Sequence, residues 1–259
     1  MSKIIAIFNQ KGGVGKTTTN MNLTTALAME GYRVLTVDTD PQGNTTSGFG
    51  FEKEKIDKNI YDTLINGDDV KNIILTTGFK GLHILPSNID LAGSEIELAD
   101  IEGRESRLRD VLSSVSKYYD YIFIDCPPSL GLLTINALVA SDAVLIPIQC
   151  EYYALEGVGQ LLNTVSLVKK SLNPQLSIEG VLLTMYDSRT NLSVQVAEEV
   201  RGYFKGKVYQ TNIPRNIRLA EAPSFGQTIF EYAPQSKGSK AYLELAREFI
   251  ERQERHGQK

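Results

Sequence analysis

Lys11-Gly12-Gly13-Val14-Gly15-Lys16-Thr17-Thr18 decides the fold. It follows the apolar run Ile4-Ile5-Ala6-Ile7-Phe8 and leads into a segment, residues 20–30, that reads as a helix. A β-branched strand, a glycine-rich turn and a helix in that order form the setting of a phosphate-cradling loop. Glycines let several backbone N–H groups point inward together, and the following helix N-terminus adds partial positive charge. In such a loop Lys16 reaches the β- and γ-phosphates, and the Thr17 hydroxyl can ligate Mg²⁺.

Working outward, the same strand-then-loop pattern recurs. Arg33-Val34-Leu35-Thr36-Val37-Asp38 reads as a buried strand ending in Asp38-Thr39-Asp40-Pro41-Gln42-Gly43-Asn44. Carboxylates at the C-terminal end of a parallel strand lie on the sheet edge that binds ligands. Pro41 and Gly43 stop the strand from continuing and hold Asp40 at the mouth of the crevice. The same Asp-Pro-x-Gly pattern also makes an ordinary β-turn. Tyr121-Ile122-Phe123-Ile124-Asp125 is a further strand ending in an acid, and Asp125 fits the role of holding Mg²⁺ directly or through water. Cys126-Pro127-Pro128-Ser129-Leu130-Gly131 then reads as a segment that senses the γ-phosphate, stiff at the prolines and loose at the glycine.

Elsewhere, strands are expected at 82–86, 143–148 and 178–184, and helices at 57–65, 90–99, 102–117, 156–170, 192–201 (capped by Asn191) and 237–255. Strands alternating with helices imply an α/β fold with a mainly parallel twisted sheet covered by helices on both faces. The 259 residues, 42% of them hydrophobic, suffice for one large domain over 1–259. With 27 Lys+Arg against 31 Asp+Glu, the chain is not a highly basic nucleic-acid coat protein. Cys126 and Cys150 make neither a disulfide framework nor a metal cluster, so a reducing cytoplasm is expected. Cys126 reads as a buried filler, and His83 as an ordinary strand residue. No apolar run approaches the roughly 20 residues of a membrane span. The opening residues do not read as a secretory signal.

The usual phosphate-loop pattern would place glycine where Gln10 stands, and Lys11 follows it. That departure resembles the deviant Walker A motif of the ParA/MinD group of P-loop ATPases. The likeness runs along nearly the whole chain to the ParA/Soj partitioning ATPases: KGGVGKTT at 11–18, VDTDPQGN at 37–44, IDCPPSLG at 124–131, IQCEYYALEG at 148–157 and IPRNIRLAEAPSFG at 213–226. With the first strand beginning by Lys3, the chain is similar to the short, chromosomal type, which lacks an N-terminal operator-binding extension.

The resemblance implies an ATP- and Mg²⁺-dependent partitioning switch. ATP would join two subunits into a homodimer, with Lys11 of each reaching the other's triphosphate. Gly12, Gly13, Val14, Gly15, Lys16, Thr17 and Thr18 would cradle the nucleotide, and Pro214 and Asn216 would contact adenine. Asp40 would orient the attacking water, and Thr17 and Asp125 would hold Mg²⁺, the latter through water. The dimer would bind double-stranded DNA without sequence preference through Arg189 and Arg218. A ParB-type centromere-binding partner would stimulate slow hydrolysis, giving a cytoplasmic, nucleoid-associated protein.

Residues 187–218 carry six basic residues against three acidic ones, a local excess suited to phosphate contact. A MinD-like membrane ATPase would need a basic amphipathic C-terminal helix, whereas Glu244, Glu248, Glu251 and Glu254 interrupt this one. That helix is expected to pack on its own domain. A nitrogenase-type iron protein would need interfacial cysteine pairs that Cys126 and Cys150 do not resemble. A biosynthetic ATP-dependent ligase of the dethiobiotin-synthetase kind is a third reading.

Overall fold

Seven strands form one sheet in the computed structural model, which describes residues 2–151 and 157–257. They are β1 (Lys3–Ile7), β2 (Val34–Asp38), β3 (Leu75–Thr76), β4 (Leu82–Leu85), β5 (Tyr121–Asp125), β6 (Ala143–Gln149) and β7 (Ser177–Thr184). Their order is β3-β4-β2-β5-β1-β6-β7, parallel throughout except for the short edge strand β3. The expected mainly parallel α/β sheet is therefore present. β3 carries no sequence signal, since two residues are too few to show alternation.

Side chains alternate across β1: Ala6 and Phe8 enter one core, Ile5 and Ile7 the other. Ten α-helices cover the sheet among the described residues: α1 (Lys16–Met29), α2 (Asn44–Gly48), α3 (Leu91–Glu97), α4 (Arg107–Ser113), α5 (Leu132–Ala140), α6 (Val158–Ser171), α7 (Asn191–Tyr203), α8 (Ile217–Glu221), α9 (Ile229–Tyr232) and α10 (Lys237–Gly257). The first core collects Leu112 of α4, Leu138 of α5, Leu161 of α6 and Val200 of α7. The second collects Leu23 and Leu27 of α1 with Tyr242, Leu245 and Phe249 of α10.

The apolar face of α10 packs on the domain, with Leu243 and Ile250 partly buried at its margin. Phe249 meets the rings of Tyr121 and Phe123, and each such buried aromatic contributes roughly 2–3 kcal/mol. Glu248 accepts from the backbone N–H groups of Gln210 and Thr211 at 2.8 and 2.9 Å. Gln253 donates to the buried Glu179 of β7 at 2.7 Å.

Several boundaries differ from the sequence reading. α1 starts at Lys16, before residue 20, because Gly15 in the left-handed conformation launches it directly from the loop. Of residues 57–65 only 60–65 are helical, mostly within the π-helical turn Asp62–Asn66. The helix expected over 102–117 shrinks to α4 and a 3-10 turn, Ser116–Tyr118. Gly103 (φ 69°) breaks its start, and the serine-rich end favours local turns, Ser113 and Ser114 bonding back to the carbonyls of Asp110 and Val111. Thr190, not Asn191, occupies the N-cap of α7. Residues 152–156, which include part of the IQCEYYALEG likeness and the expected start of α6, lie outside the described residues.

Candidate active site

The loop between β1 and α1 opens at the C-terminal edge of the central strands. Gly13 and Gly15 adopt φ of 75° and 88°, which side-chain-bearing residues rarely hold. An added Cβ at Gly12 or Gly13 would meet nothing within 4 Å, and both glycines are exposed, so their backbone is open to an approaching group. Val14 is buried, and its carbonyl accepts from Thr184 Oγ1 of β7 at 2.9 Å, which fixes the loop to the sheet. Asn9 holds the other end, donating to Pro147 O and accepting from Lys11 N.

The two lysines part company. Lys16 is 8% exposed and points into the loop, donating Nζ to the Lys11 carbonyl at 3.2 Å. Burial pulls its pKa down, while Asp125 leads the charges that oppose the shift. Lys11 is exposed.

Beneath the loop lie two buried carboxylates, Asp38 and Asp125, which the register of β2 and β5 makes direct neighbours. Asp38 Oδ2 accepts from Thr46 N and Oγ1 at 2.9 and 2.7 Å. Asp125 Oδ2 accepts from Thr45 Oγ1 at 2.7 Å, but its buried Oδ1 has no hydrogen-bond partner among the described residues. Burial raises the pKa of both; the charge of Asp125 adds to the rise at Asp38. At Asp125 the Thr45 and neighbouring Thr17 hydroxyls and the Lys16 ammonium favour the carboxylate. An orphaned buried carboxylate oxygen on Asp125, close to the Thr17 hydroxyl, fits the few-protein-ligand coordination that Mg²⁺ takes beside a polyphosphate. Asp38, Thr45 and Thr46 were not singled out from sequence, although Asp38 ends its strand as Asp125 does.

Asp40 stands at the mouth, partly exposed. Its carbonyl accepts from Gly43 N at 2.8 Å and its Oδ1 from Gln42 N at 2.9 Å. Ser87 Oγ also donates to that carbonyl at 2.9 Å. The Asp-Pro-x-Gly segment is thus a β-turn and also holds Asp40 beside the crevice.

Pro214 and Asn216 border a cavity of about 350 Å³ that also touches Gly15, Thr18, Met185 and Tyr242. Tyr186 N donates to Ile213 O and Arg215 N to Tyr186 O, so the 213–216 turn is laced to the chain leaving β7. Met185 has φ 51°, alone among the described non-glycine residues in the left-handed region, and such strain concentrates at ligand sites.

Arg189 and Arg218 follow that same edge, and both are exposed. Each pairs with an acid of its own chain: Arg189 Nη2 with Asp187 at 2.7 Å, Arg218 Nη1 with Glu221 at 2.9 Å. The basic residues of 187–218 do not share one face, since Lys207 donates to Ile178 O at the start of β7. Cys126 and Cys150 are buried, and His83 Nδ1 bonds the Tyr119 hydroxyl at 3.1 Å. No cluster of three or more His, Cys, Asp or Glu able to hold a metal exists among the described residues.

A glycine-rich loop at the end of the interior strand β1, an inward lysine and a strand-end acid beside a threonine define a P-loop nucleoside-triphosphatase. A family model described as an AAA domain matches residues 2–178. The sporulation initiation inhibitor protein Soj of Bacillus subtilis is 62% identical over 96% of this chain and 98% of its own. The chromosome partitioning protein ParA of Myxococcus xanthus is 54% identical over 97% of this chain and 89% of its own. Among solved structures, the cobyrinic acid a,c-diamide synthase of Mycobacterium smegmatis with bound ADP and magnesium superposes with a TM-score of 0.84 at 40% identity, covering 95% and 93% of the two chains. The chain belongs to the ParA/Soj family of chromosome-partitioning ATPases.

Proposed function

We propose that this protein is a partitioning switch in which ATP and Mg²⁺ drive dimerisation, the dimer holds duplex DNA without sequence preference, and partner-stimulated hydrolysis releases it. The observation that carries this reading is the divergence of the two loop lysines. Lys16 is drawn inside toward its own cradle, whereas Lys11 stands outside on the rim. Exposure of Lys11 supports this reading, since it leaves the side chain open to a triphosphate brought up by a second copy of the chain.

The backbone of residues 12–18 would bind the phosphates, with Lys16 exchanging its bond to the Lys11 carbonyl for phosphate oxygens. Thr17 and Asp125 would hold Mg²⁺, the acid through a water. A bound Mg²⁺ supplies neutralisation of the charge on the β- and γ-phosphates. Asp40 would accept a hydrogen bond from the attacking water and orient it in line with the γ-phosphorus. Pro214 and Asn216 would wall the base. Arg189 and Arg218 would exchange their carboxylate partners for DNA phosphates, and pairing two copies doubles those contacts.

The family model and the relatives support the ATPase and partitioning role, to which we add DNA binding, dimerisation and a ParB-type partner. A membrane role finds no support in α10, whose apolar face is buried, and no described helix is long and apolar enough to cross a membrane. The 40% identity to a diamide synthase keeps an amide-forming ligase as the second reading. Light scattering tests the first. Asp40→Ala with ATP should form a stable dimer without turnover, and Lys11→Ala should stay monomeric. A Lys11→Ala chain that dimerises like the parent contradicts the cross-subunit lysine.

A further inference from the structure

Two features of the fold that serve different ligands in the proposal above meet in one five-residue helix. Asn216 borders the 350 Å³ cavity beside the phosphate loop. The same residue is the N-cap of α8, its Oδ1 accepting from Arg218 N at 2.9 Å. On the inner side of α8, Leu219 and Ala220 line that cavity. Leu219 is buried and packs so closely on Gly238 of α10 that a Cβ there would lie 2.7 Å from its Cγ. On the outer side Arg218 projects into solvent, over the Tyr232 ring and paired with Glu221. Tyr232 donates its hydroxyl to that same carboxylate at 3.0 Å, which fixes the outer face.

We infer that Asn216 is a positioning residue that couples the base cavity to Arg218, so that filling the cavity sets how firmly α8 presents the arginine to DNA phosphate. A helix of five residues cannot sustain itself on internal hydrogen bonds. Its start rests on the cap, on the buried Leu219 and on the outer pair, while its end runs straight into the 3-10 turn Ala222–Phe225. A base seated against Pro214 and Asn216 would immobilise the capping side chain, and the cap orders the backbone N–H of Arg218 itself. The guanidinium then meets phosphate from a fixed backbone and loses less freedom on binding. The inference rests on the proposed function, in which Pro214 and Asn216 wall the base and Arg218 contacts DNA.

The test compares Asn216→Ala, which removes the cap, Asn216→Ser, which restores a capping oxygen, and Arg218→Ala. Affinity for a random-sequence duplex is measured at two salt concentrations with a slowly hydrolysed ATP analogue. A labelled analogue shows that each variant is saturated. Asn216→Ala should bind duplex about fivefold more weakly, the effect of losing a typical cap. It should also flatten the salt dependence in the way Arg218→Ala does, by about one phosphate contact. With the analogue saturating, Asn216→Ser should restore duplex affinity and salt slope through its capping oxygen, whatever it costs in affinity for the analogue itself. If Arg218→Ala weakens binding but Asn216→Ala does not, or if Asn216→Ser is as weak as Asn216→Ala, the coupling is wrong and the DNA reading stands. If Arg218→Ala changes nothing, the DNA reading of this surface fails first.

Discussion

Asp38 and Asp125 face each other as register partners at the ends of adjacent parallel strands, both buried, with a threonine hydroxyl bonded to each. Two buried carboxylates side by side are costly unless a cation is at hand. Lys16 offers one charge, and the Oδ1 of Asp125 keeps an unused acceptor that a second cation would satisfy. Asp125→Asn keeps the acceptor for Thr45 and removes the charge. The Mg²⁺ needed for half-maximal nucleotide binding should rise about tenfold to a hundredfold, as for a residue that holds a metal through water. An unchanged Mg²⁺ titration would remove Asp125 from the metal site.

Lys16→Ala should lower ATP affinity by about a hundredfold or more, because at least one charge-assisted hydrogen bond to phosphate is lost inside a partly dry loop. Equilibrium binding of a fluorescent ATP analogue measures it. Near-normal affinity would leave the phosphate role to the backbone alone.

Glu248 anchors α10 by accepting from Gln210 N, Thr211 N and Arg252 Nη2. Burial opposes its charge, but those bonds outweigh burial and hold its pKa below the ordinary glutamate value. A depressed carboxyl contributes stability above its unfolded pKa and loses it as pH falls through the folded one. Glu248→Gln should therefore cost about 1–2 kcal/mol at pH 7, and the gap from the parent should close below pH ~4. Urea unfolding at several pH values reads this directly; a gap that is constant with pH would place the effect in packing instead of charge.

Burial pushes the Cys150 thiol up to about 11 and the Cys126 thiol higher still. At pH 8 only about one Cys150 in a thousand is thiolate, so both cysteines should resist iodoacetamide in the folded protein. Mass spectrometry should show both alkylated only after unfolding. Rapid labelling of Cys126 in the native state would mean that the segment after β5 opens far more than its packing implies.

The loop and the strands were legible because their signals are local. Glycines fix Gly13 and Gly15 in conformations other residues avoid, and apolar runs ending in Asp38 and Asp125 mark buried parallel strands. What could not be read is set by register and by distant segments. Asp38 stands beside Asp125 only because β2 pairs with β5, a choice that neither strand encodes alone. The acid partner of Arg215, Glu151, lies 64 positions away. Helix extent over 102–117 was misread because amphipathic spacing continues through Gly103 and the serines, where the backbone turns instead.

In the proposed switch, nucleotide state controls a cationic surface built from two copies of the chain. Retention on immobilised random-sequence duplex, with ADP, ATP or a slowly hydrolysed ATP analogue at two salt concentrations, tests it most directly. Strong, salt-sensitive retention with the analogue and little with ADP or no nucleotide is the predicted result. Equal retention in every nucleotide state, or none in any, would contradict it.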